Sequence, residues 1–306
     1  MKVRLGLDIG GTTVHGIVVD AESHHVIGEQ ITHPTRHGAD GVVTGAVEMI
    51  SALRTALPSD HDVIAVGLGV PGIVHDGAVT HAVNLGLDHV PLDLAGRVAD
   101  RADGVLVTVE NDVKTAALGG LAWLQEQGST VDDLALLNVG TGLAAAFLLD
   151  GKLRHGSRGM AGEIGHLVHD PDGPICPCGR RGCLELFASG SGLRRQWDGT
   201  AAELFAAAAA GSSDAAGIRD QLTAGIAKAI SLLAYGLDVS YVLVTGGVVS
   251  ATPALRQAIL DDLRTDEGTS LGKLAAIADR VRWLPSDYPA GALGAALLGR
   301  DPAWRS

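Results

Sequence analysis

The sequence predicts an α/β protein built from two related domains, and two observations carry that expectation. Residues 5–20, LGLDIGGTTVHGIVVD, and residues 135–150, ALLNVGTGLAAAFLLD, align without a gap, Asp8 on Asn138 and Asp20 on Asp150. Elsewhere, strand-like apolar runs alternate with Ala/Leu-rich stretches of helical spacing, which is the α/β pattern.

Each copy of the duplicated stretch is an apolar strand, a Gly/Thr turn and a second apolar strand, hence a β-hairpin with a glycine-rich tip. Copies this far apart are not solenoid repeats, whose period is roughly 20–50 residues. They imply two domains facing one another. VIAVGLGV (63–70) is a strand-like apolar run. VLVTVEN (105–111) is a strand that gives way to a helix at Asp112, and the domain boundary is expected there. Helices follow at 116–125 and 222–237, and 201–217 reads as a helix ending in a mobile loop. YVLVTGG (241–247) is a last strand entering a glycine turn. No Pro/Ser linker or low-complexity block divides the halves.

Composition narrows the function. With 46% apolar residues the chain can fill two cores. A formal net charge of −12 and 3% aromatic residues speak against a nucleic-acid partner, since charge repels phosphate and few rings are present to stack on bases. Asp8 comes too early for a signal peptide, and the longest nearly apolar run, 134–149, is broken by Asn138, Gly140, Thr141 and Gly142. No membrane partner and a cytoplasmic, reducing setting are therefore expected. An odd count of three cysteines also argues against a disulfide framework.

Three glycine turns follow strands: Gly10-Gly11-Thr12, Gly140-Thr141-Gly142 and Gly246-Gly247. A turn without side chains lets backbone N–H groups approach a polyphosphate, and the Thr12 and Thr141 hydroxyls add donors. Tight hairpins alone would explain one such turn, but not three with two in duplicated units. Neither a Walker A pattern nor a G-x-G-x-x-G fingerprint is present. Asp8, beside the first turn, either caps it or helps hold Mg²⁺ on the phosphates through water. Asn111 and Asp112 close a strand and open a helix, where both are good N-caps. The same carboxyl end of a strand is where α/β sheets bind ligands, so Asp112 is also placed to take a proton from a hydroxyl.

The three cysteines, Cys176, Cys178 and Cys183, lie within eight positions among Pro and Gly, and no apolar period includes them. With His166 they make a Cys₃His set, a usual structural zinc composition that is closed to catalytic water. His166, held through one ring nitrogen, can offer the other to a ligand. Glu163 and Glu185 flank the cluster; drawn together by zinc, they would form a wall of acceptors suited to sugar hydroxyls.

LGLDIGGT, GVPG, END, NVGTGL, GEIGH, C-x-C-G-x-x-G-C-x-E and TGG together resemble the ROK family of bacterial sugar kinases and sugar-responsive repressors, from about residue 3 to 298. The resemblance implies an actin-like (ribonuclease H-like) two-domain ATPase/sugar kinase fold with a cleft between domains. The small domain would comprise 1–112 plus 291–306, and the large one 113–290 with the zinc-binding loop. It implies ATP-dependent phosphorylation of a hexose at the 6-hydroxyl, glucose first and N-acetylhexosamines second. Asp112 would be the base; Asn111, Glu163, His166 and Glu185 would hold sugar hydroxyls, and His166 would also ligate structural zinc. The turns at Gly10–Thr12 and Gly140–Gly142 would face the phosphates with Mg²⁺, and Gly246-Gly247 the adenosine. A homodimer or homotetramer is implied too. The family's repressors carry a DNA-binding domain ahead of the first glycine turn, which here begins at residue 8, so the kinase reading is favoured.

This chain departs from the family pattern in four places. Thr13 replaces a frequent lysine, Leu143-Ala144-Ala145-Ala146 a glycine-rich run, Thr245 a frequent glycine, and Lys114 a small or amide residue. These changes bear on donor affinity and sugar preference.

Overall fold

The computed structural model describes residues 1–298, and the chain divides into two compact units. The first comprises Met1–Asp132, Asp150–Ala161 and the described residues from Pro289 to Leu298; the second comprises Asp133–Leu149 and Gly162–Tyr288. The part of the expected small domain beyond residue 298 lies outside the described residues.

In the first unit, strands β1 (Lys2–Ile9), β2 (Thr13–Asp20), β3 (Val26–Pro34), β4 (Asp62–Val70) and β8 (Leu106–Asn111) form a sheet in the order β3-β2-β1-β4-β8. A small antiparallel sheet of β5 (Ile73–His75), β6 (Ala78–Thr80) and β7 (Leu92–Asp93) follows β4. Helix α1 (Ala39–Ala56) covers one face of the main sheet, its Met49 lying against Gly16. Helix α2 (Leu94–Arg101) precedes β8, and α3 (Asp112–Glu126) leaves it. Val3, Leu5 and Leu7 of β1 are fully buried with Met49 and Ile50. Burying one such side chain is worth about 1.5–3 kcal/mol.

The domain boundary moves relative to the sequence expectation. Helix α3 does not open a second domain at Asp112; it stays with the first unit, whose chain continues to Asp132. The reason is its packing on the C-terminal helix Ala290–Leu297. A Cβ at Gly119 would overlap the Ala290 carbonyl, and one at Gly294 the Thr115 carbonyl, so glycine lets the two helix backbones meet.

In the second unit β9 (Leu134–Val139) and β10 (Leu143–Leu149) form the second hairpin. Strands β10, β9, Tyr241–Thr245 and Val281–Trp283 lie side by side with the same directions as β2-β1-β4-β8. The duplication seen in the sequence is thus a duplication of fold. It is not gapless in three dimensions: Ile9 pairs with Val14, whereas Val139 pairs with Leu143. The second turn is one residue shorter, so each position of β10 takes the place of a β2 residue one step later than the alignment gives, Leu143 that of Val14 rather than Thr13. A one-residue slip would otherwise turn the apolar set to the wrong face.

Helices α4 (Glu185–Ala188), α5 (Gly190–Arg194), α6 (Ala201–Ala209), α7 (Ser213–Leu237), α8 (Gly247–Ser250) and α9 (Pro253–Thr265) complete the part of this unit that bears on the site. The mobile loop expected before residue 217 is a turn over 210–212. Thr200 and Glu203 form a capping box on α6, and Ser212 caps α7 by accepting from Ala215 N.

Candidate active site and zinc centre

Parallel pairing brings the carboxyl ends of β1, β4 and β8 to one edge of the first sheet, with Asp8, Gly69 and Glu110 in one row. Asp112 follows two residues after Glu110. Burial first, and then the nearby Asp112 carboxylate, push the Asp8 carboxyl up to about 7. Asp8 is therefore not simply a surface cap of its turn: it lies against Gly291 of the C-terminal helix.

The capping question at β8 is resolved by geometry. Asn111 is the N-cap of α3, its Oδ1 accepting from Val113 N at 3.1 Å and Lys114 N at 3.3 Å. Its amide donates to Gly72 O at 3.0 Å, tying the end of β8 to the Pro71-Gly72 turn after β4. Asp112 is the first residue of α3, with Oδ1 accepting from Val113 N at 2.9 Å. The cap is thus supplied by its neighbour, and the Asp112 carboxylate sits at the positive end of a helix dipole.

In the first glycine turn, Gly10 N donates to Thr13 O. The turn's carbonyls are all engaged from one side: Gly10 O accepts from Thr35 Oγ1 at 2.6 Å, Thr12 O from Thr35 N at 2.9 Å, and Gly11 O from His37 Nε2 at 3.1 Å. In the second turn, Gly140 O accepts from Gly190 N at 2.8 Å and Thr141 O from Ser191 N at 2.9 Å. Holding the carbonyl oxygens this way removes acceptors that would repel an anion. Thr35, His37, Gly190 and Ser191 carry this role without any motif that marks it. Gly246 follows the strand Tyr241–Thr245, and Gly247 opens α8.

His166, Cys176, Cys178 and Cys183 form one cluster, with a ligand atom from each lying within 4.8 Å of the others. Cys178 Sγ is 3.6 Å from Cys183 Sγ, and Cys176 Sγ is 3.9 Å from His166 Nδ1. A tetrahedral zinc with Zn–S of about 2.3 Å and Zn–N of about 2.0–2.1 Å sets its donors roughly 3.5–3.9 Å apart, so the donor set fits. Burial pushes the Cys183 thiol up to about 12 and raises Cys176 as well, while the Arg180 amide lowers Cys178. Zinc would hold all three as thiolates against that tendency.

The loop bearing these ligands is closed by the Leu184 N to Leu167 O bond at 2.9 Å and the Val168–Cys183 bridge. This closure brings Glu185 beside Gly165. His166 Nε2 lies 3.9 Å from Glu163 Oε2, so the nitrogen not turned to the cysteines faces the expected sugar ligands. Glu185 Oε2 accepts from Leu143 N at 3.0 Å, and a Cβ on Gly142 would come within 2.6 Å of the same oxygen. The structure thus groups Asp8, Gly10, Gly11, Thr12, Asn111 and Asp112 in the first unit. The second unit holds Gly140, Thr141, Gly142, Glu163, His166, Cys176, Cys178, Cys183, Glu185, Gly246 and Gly247.

The sequence marks Lys114 and the END motif but not the burial and pairing that join Glu110, Lys114 and His155 beside Asp112. Glu110 is 6% exposed and Lys114 2%; Glu110 accepts from Asn111 N and pairs with His155 Nε2, both at 2.7 Å. In the sequence Glu110 is one more residue of an apolar strand's end, and nothing brings His155 near it.

The ROK family pattern matches residues 4–301. The chain belongs to the ROK family. Among curated relatives, this ROK chain is 30% identical to a glucokinase of Halalkalibacterium halodurans, over 96% of the chain and 94% of the relative. It is 34% identical to an N-acetylmannosamine kinase of Yersinia pseudotuberculosis, over 85% and 88%. Among solved structures, a ROK family glucokinase from Streptomyces griseus in complex with glucose and AMPPNP superposes with a TM-score of 0.76 at 29% identity, covering 97% of this chain and 99% of that one. The fold is accordingly the actin-like, two-domain α/β fold of the ROK sugar kinases.

Proposed function

We propose that this protein transfers the γ-phosphoryl group of ATP to the 6-hydroxyl of a hexose, with glucose as the first substrate. The observation that carries the reading is the strand-to-helix junction at 111–112, where Asn111 supplies the helix cap and the adjacent Asp112 carboxylate stands at the positive end of α3 beside Asp8. Asp112 orients the 6-hydroxyl and takes its proton as the oxygen attacks phosphorus in line. A carboxylate is a weak base towards an alcohol, so proton transfer falls late in the step. Asn111, Glu163, His166 and Glu185 hold the remaining hydroxyls. The Gly10–Thr12 and Gly140–Gly142 turns bind phosphate through backbone N–H groups, and Gly246-Gly247 borders the adenosine. Mg²⁺, held by Asp8 through water, would offset charge on the transferred group. Zinc at His166, Cys176, Cys178 and Cys183 would brace the loop that carries the sugar ligands.

The N-acetylmannosamine kinase likeness supports a second reading, in which the same machinery acts on an N-acetylhexosamine. Both readings share a cytoplasmic setting and a homodimer or homotetramer. ADP release with ATP over a panel of hexoses and N-acetylhexosamines tests them. The highest kcat/KM on glucose supports the first reading, and the highest on N-acetylmannosamine the second. Sugar binding without ADP release from any of them would replace both with a sugar-sensing role.

A further inference from the structure

Lysine is almost never fully buried unless its ammonium is paired. Lys114 is 2% exposed in the first turn of α3, and its Nζ donates to the Gly159 carbonyl at 2.7 Å while standing 3.8 Å from Glu110 Oε1. The shorter contact is to the backbone of a loop, not to the carboxylate. Glu110 spends its oxygens on Asn111 N and His155 Nε2, each at 2.7 Å. The segment 155–161 is therefore held at two points, the His155 ring and the Gly159 carbonyl. Its own bonds, Ala161 N to His155 O and Gly159 N to Gly156 O, fix the shape between them. Its far end continues directly into Gly162-Glu163.

We propose that Lys114 is a positioning residue for sugar binding: with Glu110 and His155 it anchors segment 155–161, whose chain runs on into Gly162-Glu163, to the strand end that carries Asn111 and Asp112. This rests on the reading that those residues hold the sugar. Lys114 touches neither sugar nor phosphate in this account; it acts by limiting the freedom of the segment. Removing the ammonium frees the Gly159 carbonyl and leaves Glu110 with Asn111 N and His155 Nε2 but no nearby cation at Oε1. The sugar then has to order the segment on binding, a cost that appears in its affinity. Turnover at saturating sugar and the KM for ATP should change far less, because Asp112 and both glycine turns keep their own contacts.

The experiment compares wild type, Lys114→Met, Lys114→Gln and Asp112→Asn, with the best sugar of the panel as the probe. Lys114→Met is expected to raise the sugar KM and the calorimetric Kd about tenfold or more, with kcat and the ATP KM within about threefold. Lys114→Gln, which can still donate to Gly159 O, should recover part of the loss. Trypsin should cut after the exposed Arg158 faster in Lys114→Met than in wild type at equal global stability. Should Lys114→Met not fold, the half-exposed His155→Ala carries the same two readouts. A folded Lys114→Met with unchanged sugar Kd, or unchanged cleavage at Arg158, overturns the proposal. Asp112→Asn that still turns over would sink the base reading alone, since the Lys114 readouts are binding and proteolysis.

Discussion

Glu185 Oε2 accepts a hydrogen bond from the Leu143 amide at 3.0 Å, so one oxygen of an expected sugar ligand already braces the second glycine turn. The residue is shared between two jobs. Glu185→Ala should therefore raise the KM for ATP several-fold as well as the KM for sugar about tenfold or more, since losing a hydrogen bond to a charged group costs about 1.5–3 kcal/mol. Glu163→Ala, with no contact to either turn among its described bonds, should raise the sugar KM alone. Steady-state kinetics with each substrate varied separates the two; an unchanged ATP KM in Glu185→Ala would deny the link.

Asp112→Asn keeps the shape of the junction, and Asn111 continues to cap α3. The fold should hold while kcat falls roughly 10²-fold or more, because an amide cannot take the proton. Circular dichroism and turnover on one preparation give both numbers. Near-normal turnover would leave Asp112 with only a structural role.

Asp8 yields a pH prediction with a definite sign. Folded, its carboxyl holds a proton to about pH 7; unfolded, only to about 3.8. Between these values the folded chain binds the extra proton, so the contribution is fully present below the unfolded value and is lost as pH rises through about 7. Urea unfolding from pH 5 to 8 should show wild type losing stability relative to Asp8→Asn as pH rises. Asp112→Asn removes the neighbouring carboxylate and should end that loss at lower pH, because a less perturbed Asp8 titrates lower and less stability is then lost across the window. A wild-type curve parallel to that of Asp8→Asn would mean that Asp8 titrates as an ordinary carboxylate.

The Cys₃His geometry predicts about one zinc per chain in protein purified without added metal. Cys178→Ser should lower the thermal midpoint and weaken sugar binding together, because the loop that closes at Leu167 and Leu184 also carries Glu163, His166 and Glu185. Metal analysis and calorimetry check both. Folded, active, metal-free protein would remove zinc from the site.

At an exposed helix position, Gly→Ala stabilises by roughly 1 kcal/mol. At Gly119 the sign should reverse, since the new Cβ would meet the Ala290 carbonyl. Forcing α3 and the C-terminal helix apart should cost about 1–3 kcal/mol in urea unfolding. A neutral or stabilising Gly119→Ala would show that the helices can shift without loss.

Legible in the sequence alone are the α/β class, both hairpins, the three glycine turns, the Asn111-Asp112 junction and the grouping of His166 with Cys176, Cys178 and Cys183. Each is a local pattern: alternation along a strand, a turn that demands glycine, or ligands a few residues apart. Contacts between residues distant in sequence were decided only by the tertiary structure. Packing of Gly119 against Ala290 assigned α3 to the first unit, and register shortened the second turn by one residue. The bond from Leu143 to Glu185 gave that carboxylate a second task, and the fold set His155 and Lys114 around Glu110. A buried Lys or Glu looks the same in a sequence as a solvated one, because what distinguishes them is the partner that folding supplies.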